Sequence, residues 1–218
     1  MKALLLCLCA LLCAGGAAAD DGWRIVLGKA RQEEAAAGPP AWRNYSRLWR
    51  HVLRSYSHDA EKEKDALAHL PRISQESRLN LEKALPGMKP LEKVSAISGF
   101  INFQAVGSTD KEIYGVEEKW AAPAEFFRRA RGDCEDFAIA KYFVLREQGF
   151  SADDLRLLIV REGGRAGHML LAVLIDGQPH IIDNNSRPPG LVLRQNEHLS
   201  RYYSLCFAFN ENGVWLYK

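Results

Sequence analysis

The chain has 218 residues, of which 47% are apolar and 26% are charged, with 17 glycines and 9 prolines. These proportions are ordinary for a globular protein, and they exclude a disordered or collagen-like chain. The formal net charge is only +2, so composition gives no support to a nucleic-acid-binding protein.

The first nineteen residues differ from the rest of the chain. Lys2 is followed by an apolar run over 3–12 and then by three alanines at 17–19. The run is too short to span a bilayer and ends in an A-x-A pattern, which predicts a secretory signal peptide over 1–19. We therefore expect an exported protein that begins near Asp20 and is not inserted directly in a membrane.

Residues 20–90 form the next predicted region, which is mostly helical. Apolar residues recur at three- and four-residue spacing between Trp42 and Tyr56, and this spacing predicts an amphipathic helix. The opposite face of that helix carries four arginines, which we interpret as a solvated face rather than a membrane-binding one. The charged stretch from Asp59 to Pro90 shows only weak helical spacing.

Residues 91–218 are predicted to form the core, and their pattern changes from helices to strands. Helices are expected from Leu91 to about Asn102, from Pro123 to Gly132, where the glycine can end the helix, and over 133–148, with a polar turn at 107–110. Strands are expected at Leu155–Val160, His168–Ile175, Gln178–Asp183 and Tyr202–Phe209. Helices followed by strands indicate an α+β fold, and we expect 20–218 to form one compact domain.

Cys134 lies at the predicted start of the helix over 133–148. Asp133 suits the N-cap position, and Asp136 can reach back to it as in a capping box. The free N–H groups and dipole of a helix N-terminus favour a thiolate, which makes Cys134 a candidate nucleophile. The alternative is a buried structural cysteine. The other cysteine outside the signal peptide, Cys206, is expected to be a buried thiol and not a disulfide partner.

Three carboxylates flank this cysteine, those of Asp133, Glu135 and Asp136. Like charge raises the pKa of a thiol, so a nucleophilic Cys134 needs a positive group nearby. A hard cation such as Ca²⁺ binds carboxylate oxygens, which makes these residues candidate metal ligands. Acidic residues also suit a helix N-terminus, and the local sequence alone favours capping over calcium.

A histidine and an aspartate are predicted to meet across a β-hairpin. Asp176-Gly177 between two apolar runs is a strong indicator of a two-residue turn. With that turn, Asp183 faces Leu170 and lies diagonally opposite His168 on the same face. His168 can then accept the proton of Cys134 while Asp183 holds the imidazole tautomer. The alternative is a His–Asp pair with a structural role only.

Four motifs occur in one order: Trp120-Ala121-Ala122-Pro123, Gly132–Tyr142, His168-Met169 and Asp183-Asn184. On these motifs the chain from about Leu91 onwards resembles the bacterial transglutaminase-like cysteine proteinases, in particular their LapG-type group. The resemblance implies a papain-like, transglutaminase-like fold, with the nucleophile helix packed on an antiparallel sheet.

The resemblance also implies an activity and a cofactor. It assigns the catalytic triad of a cysteine endopeptidase to Cys134, His168 and Asp183. It further implies calcium dependence, which reverses the local preference for capping. The implied ligands are Asp133, Glu135, Asp136 and Asp110.

LapG-type proteases are exported enzymes, so the resemblance implies a periplasmic protein. The implied substrate is the N-terminal region of a large cell-surface adhesin, whose cleavage releases cells from a biofilm. The implied regulator is an inner-membrane receptor for cyclic di-GMP. Two other functions are compatible with the same residues: amide transfer by a transglutaminase, and a catalytically silent calcium- or receptor-binding module.

Overall fold

The computed structural model describes residue 23 and residues 31–33, 40–62, 75–162, 165–185, 192–194 and 203–216. The predicted signal peptide lies outside the described residues, so its prediction stays untested. Within the described ranges, no helix combines the length and the apolar character needed to cross a membrane.

Helices and strands are numbered here in chain order. The helices are α1 (Pro40–Lys62), α2 (Gln75–Ala84), α3 (Pro90–Gln104), α4 (Asp110–Tyr114), α5 (Pro123–Arg129) and α6 (Cys134–Glu147), with 3₁₀ turns at Leu85–Gly87 and Ala152–Asp154. The strands are β1 (Arg31–Glu33), β2 (Val106–Gly107), β3 (Arg131–Gly132), β4 (Leu155–Glu162), β5 (Arg165–Ile175), β6 (Gln178–Ile182), β7 (Val192–Arg194), β8 (Tyr203–Asn210) and β9 (Gly213–Leu216).

Seven of these strands form one antiparallel sheet in the order β1-β9-β8-β4-β5-β6-β7. Alternate residues of the central strands point to opposite faces, as the two-residue period of a strand requires. One face, with Leu157 and Leu171, belongs to the main core that also contains the helices, and the other, with Leu158 and Leu170, packs around Trp23. Helices and this sheet together confirm the predicted α+β class.

Helix α6 lies in the centre of the main core. Every residue from Glu135 to Leu145 is buried, which is the behaviour of a helix enclosed on all sides. Helix α1 instead buries one stripe that includes Trp42, Trp49 and Val52. Its four arginines at 43, 47, 50 and 54 are exposed, which agrees with the interpretation of a solvated basic face.

The β5–β6 hairpin has the predicted register. Ile175 pairs with Gln178, and the pairing continues without a shift to Leu171 and Ile182. Asp176 and Gly177 both have positive φ values, 51° and 72°, as a type I′ turn requires. The register therefore places Asp183, the residue after β6, diagonally across from His168.

Some predicted boundaries were wrong. Helix α5 ends at Arg129, because Ala130 adopts a left-handed conformation with φ 51°, and Gly132 lies instead in β3. The predicted polar turn at 107–110 contains the end of β2 and the first residue of α4. Thr109 begins α4 with a capping box to Glu112. Strands β1, β7 and β9 were not predicted, since three or four residues carry too little periodicity to be recognised.

Candidate active site

Cys134 is the first residue of α6, and its sulfur lies against strand β5. The Met169 backbone N–H donates to Sγ at 3.4 Å, and the thiol lies 3.6 Å from the Gly167 carbonyl oxygen. These are the two chain neighbours of His168. The structure thus brings the predicted nucleophile to the strand position that carries the predicted base.

The thiol itself donates to Glu135 Oε2 at 3.2 Å. Burial raises the pKa of the Cys134 thiol far above its usual value, and the neighbouring Glu135 carboxylate raises it further. This arrangement favours the protonated thiol form of Cys134, hydrogen-bonded to Glu135. Cys134 and Cys206 are both free, as expected, but Cys206 is only partly buried, whereas the sequence predicted a buried thiol.

His168 and Asp183 form a buried pair, as the hairpin register predicts. His168 Nε2 lies 3.0 Å from Asp183 Oδ1, and the two residues are only 8% and 4% exposed. Because Asp183 occupies Nε2, Nδ1 is the ring nitrogen that remains for proton transfer with a nucleophile.

Three further groups hold Asp183. Its Oδ1 also accepts from the Asn185 backbone N–H at 2.9 Å, and its Oδ2 accepts from the Tyr203 hydroxyl at 2.9 Å. The Asn102 side-chain amide donates to the Asp183 carbonyl oxygen at 3.2 Å. Burial raises the pKa of Asp183, but the hydrogen bonds from His168, Asn185 and Tyr203 outweigh it and lower the pKa below its usual value. Asp183 is therefore ionised.

Tyr203 and Asn102 are site residues that the sequence did not reveal. Asn102 was recognised only as the end of a helix, and Tyr203 only as part of a strand. Their contacts with Asp183 join residues 81 and 20 positions apart. Local periodicity carries no information about such contacts.

An acidic cluster lies beside the thiol and consists of Asp110, Asp133 and Glu135. Each offers a carboxylate oxygen, and these oxygens lie within 4.8 Å of one another. Burial raises the pKa of all three carboxyls, that of Asp133 to about 6, and repulsion from neighbouring carboxylates raises the pKa values of Asp133 and Glu135 further. Asp110 Oδ1 and Asp133 Oδ1 are buried and accept no hydrogen bond from the described residues. Such a cluster calls for a positive charge.

The helix-capping interpretation is confirmed for the position of Asp133 and wrong for its side chain. Asp133 occupies the N-cap position of α6, but its side chain accepts no hydrogen bond from the first turn of the helix. Its carboxylate belongs to the acidic cluster instead.

Asp136, the fourth predicted metal ligand, lies next to this cluster but is not one of its three members. Its side chain is fully buried, and Oδ1 accepts from the Ala121 backbone N–H at 2.8 Å. Asp136 Oδ2 accepts no hydrogen bond from the described residues. Asp136 therefore fixes the segment that contains Trp120, and its role as a ligand stays a prediction.

Glu118 is a further carboxylate near the cluster that the sequence did not single out as a ligand. It raises the pKa of both Asp133 and Glu135, and it accepts from Trp120 Nε1 at 2.9 Å. The Trp120 ring stacks on Tyr45 of α1, with centroids 5.4 Å apart. Helix α1 therefore contacts the segment that borders the acidic cluster.

Lys141 is a buried lysine on α6, only 1% exposed, with Nζ 5.9 Å from the Phe137 ring centroid. Burial lowers its pKa from 10.5 to about 7, although Asp183 opposes the shift. Between these two values the unfolded chain binds the extra proton, so this residue makes stability rise with pH. Urea unfolding from pH 6.5 to 9.5 should show that rise in the wild type and a flatter profile in Lys141→Met. Parallel profiles would show that burial does not lower the pKa of Lys141.

Comparisons with known proteins decide the family. The model of the bacterial transglutaminase-like cysteine proteinases, BTLCP, matches residues 72–203 of the chain. The chain belongs to this family. The predicted family and its transglutaminase-like fold are thereby confirmed, and membership makes the protein a cysteine proteinase.

Solved structures of this proteinase family are similar over most of their length. Calcium-bound LapG of Legionella pneumophila is 30% identical, with a TM-score of 0.53 over 63% of this chain and 74% of that one. The EGTA-treated form of LapG is also 30% identical, with a TM-score of 0.52 over 64% and 73%. A third LapG structure is 27% identical, with a TM-score of 0.55 over 72% and 87%. A comparison with curated proteins gave no significant match.

Proposed function

We propose that this proteinase is an exported, calcium-dependent endopeptidase that cuts the N-terminal region of a large surface adhesin. The observation that carries the proposal is the placement of the Cys134 sulfur between the two neighbours of His168, whose ring is paired with Asp183. Similarity to LapG and the LapG-type motifs support the adhesin substrate, periplasmic location, biofilm release and control by an inner-membrane cyclic di-GMP receptor.

The proposed reaction divides the work among three residues. His168 Nδ1 takes the proton of Cys134, and the thiolate attacks the scissile carbonyl carbon. Asp183 keeps the proton on Nε2 and stabilises the imidazolium. His168 then gives its proton to the leaving amine, and water hydrolyses the acyl-enzyme. The Cys134 backbone N–H at the start of α6 is a candidate oxyanion donor.

The first step requires the thiol to change partner. In the structure the thiol donates to Glu135, whereas the reaction needs it to donate to His168. A ligand that engages the Glu135 carboxylate removes that competing acceptor. The acidic cluster therefore connects ligand binding to the position of the nucleophile.

We propose Ca²⁺ as that ligand, held by Asp110, Asp133 and Glu135. The candidate ligands are all carboxylate oxygens, which Ca²⁺ prefers. Asp110 and Asp133 each have a buried carboxylate oxygen that accepts no hydrogen bond from the part of the chain that the structure describes. When bound, the ion supplies a positive charge that offsets the cluster and fixes the loop before Cys134. Solved LapG structures that are calcium-bound and EGTA-treated are consistent with such a site.

Calcium is expected to stabilise the wild-type protein. At a hundredfold excess over Kd, a single site should raise Tm by about 5–10 °C. Asp133→Asn should abolish most of this increase, as measured by differential scanning fluorimetry with calcium or EGTA. Glu117→Gln is the matched control, because Glu117 is an exposed acidic residue whose partner is Lys111. A calcium response in Asp133→Asn equal to that of the wild type would exclude this cluster as the site.

Cleavage of an adhesin fragment tests the function directly. The purified protein is incubated with the N-terminal segment of the large adhesin of its own cell, with calcium or EGTA. We expect one defined cut with calcium and none with EGTA. Incorporation of an added amine instead of a cut would favour the amide transferase. A Cys134→Ala protein that retains every cellular effect would favour the binding module.

A further inference from the structure

Tyr203 contacts both members of the His168–Asp183 pair. Its hydroxyl donates to Asp183 Oδ2 at 2.9 Å, and its ring stacks on the imidazole with centroids 5.6 Å apart and an interplanar angle of 29°. Tyr203 is the first residue of β8 and pairs with Glu162 of β4. It therefore reaches the pair from a strand that is bonded to neither β5 nor β6 at this position.

The hydroxyl fixes the orientation of the carboxylate. The last torsion of an aspartate side chain is broad and roughly two-fold. Donors on only one of the two oxygens therefore leave the rotation of the carboxylate poorly determined. In Asp183 the donors on Oδ1 are His168 and the Asn185 backbone N–H, and Tyr203 provides a donor on Oδ2. Donors on both oxygens hold Oδ1 at the imidazole.

The ring limits the freedom of the imidazole. A stacked neighbour restricts rotation of the His168 ring and keeps water from its face, and His168 is only 8% exposed. Among the described residues, the charged or titratable groups that face Asp183 are His168 from β5, Tyr203 from β8 and Lys141 from α6. Of these, Tyr203 contacts both partners of the pair.

We infer that Tyr203 is a positioning residue of the active site, which holds Asp183 and His168 in the geometry for proton transfer. This inference rests on the proposed function, because it requires His168 to act as the base for Cys134. Tyr203 lies outside both the β5–β6 hairpin and the sequence motif around Cys134.

The test compares Tyr203→Phe with the wild type by iodoacetamide alkylation in calcium, with Cys134 and Cys206 quantified by mass spectrometry. Loss of one hydrogen bond to a charged group should slow Cys134 alkylation about tenfold at pH 7 and leave Cys206 unchanged. The hydroxyl favours the ionised form of Asp183, so its removal should raise the pKa of Asp183. The acid limb of the pH profile should then move up by about half a unit.

Tyr56→Phe is the matched control. It also removes a tyrosine-to-carboxylate hydrogen bond, the 3.0 Å contact to Glu147 at the far end of α6. We expect the Cys134 profile of this variant to match that of the wild type. A Tyr203→Phe profile that also matches the wild type, with its acid limb in place, would overturn the inference.

Two further variants separate the possible causes. If Tyr203 acts through Asp183, adding Tyr203→Phe to Asp183→Asn should cause no further loss, whereas additive losses contradict the role. His168→Ala tests the proposed function itself. If His168→Ala leaves the alkylation of Cys134 unchanged, the proposed catalytic triad is wrong. This result does not depend on the outcome for the Tyr203 variants.

Discussion

Cys134→Ser should lower the rate of adhesin cleavage by at least about a thousandfold. Serine keeps the size of the side chain, but its hydroxyl is a far weaker acid than a thiol and is not matched to His168. The thiol is part-buried, and it contacts Glu135, Gly167 and Met169. A serine hydroxyl can form hydrogen bonds with the same three residues. Activity should therefore be lost without loss of the fold.

The matched control is Cys206→Ser. Cys206 is also a free, partly buried thiol, but it lies in β8 and its sulfur is 4.0 Å from the Ser204 carbonyl oxygen. Cleavage by the two variants is followed on gels, and Tm is measured for both. We expect the Cys206 variant to cleave at the wild-type rate. Cleavage by Cys134→Ser at that rate would remove the central residue of the proposed mechanism.

Gly132→Ala is expected to damage both stability and activity, because there is no room for a side chain at this position. A Cβ atom on Gly132 would lie 2.6 Å from Asp136 Oδ2, 2.7 Å from Asp136 Cβ and 3.0 Å from the Phe126 ring. Asp136 cannot move freely, since Oδ1 accepts from the Ala121 N–H. Overpacking of this kind costs about 1–3 kcal/mol of unfolding free energy. Asp136 lies in the first turn of the helix that begins with Cys134, so cleavage should fall as well.

Gly107→Ala provides a control from the same two-stranded ladder. Gly107 pairs with Gly132 across β2 and β3, yet a Cβ on Gly107 would have no atom within 4 Å. Urea denaturation should give a lower midpoint for Gly132→Ala and an unchanged midpoint for Gly107→Ala. Equal midpoints for the two variants would show that Asp136 can adjust and that the close approach carries no cost.

The His168–Asp183 contact could be predicted because one local feature determines it. A two-residue turn fixes the pairing of every later residue in the hairpin, and the alternation of side chains then fixes which residues share a face. Asp176-Gly177 therefore specified a contact between residues 15 positions apart, which the structure shows at 3.0 Å.

Other parts of the site depend on contacts that no local rule specifies. The acidic cluster joins Asp110 to Asp133 and Glu135 through the packing of separate segments. The local sequence alone therefore could not distinguish helix capping from metal binding. Tyr203 reaches Asp183 from β8, which returns to the sheet next to β4. The Tyr203 contact depends on the order of strands in the sheet, and a single sequence does not reveal that order.

The packing of α1 has a consequence for how the chain folds as it is made. Trp49 Nε1 donates to the Asn210 carbonyl oxygen, 161 residues later, and Trp42 packs against Phe207 and Phe209. The core therefore cannot close until β8, near the end of the chain, has been synthesised. Contacts of such high sequence separation form slowly, since a long loop must be ordered first. We therefore expect a slow closure of this core, which is compatible with the export proposed above, because an exported chain passes through a membrane channel before it folds.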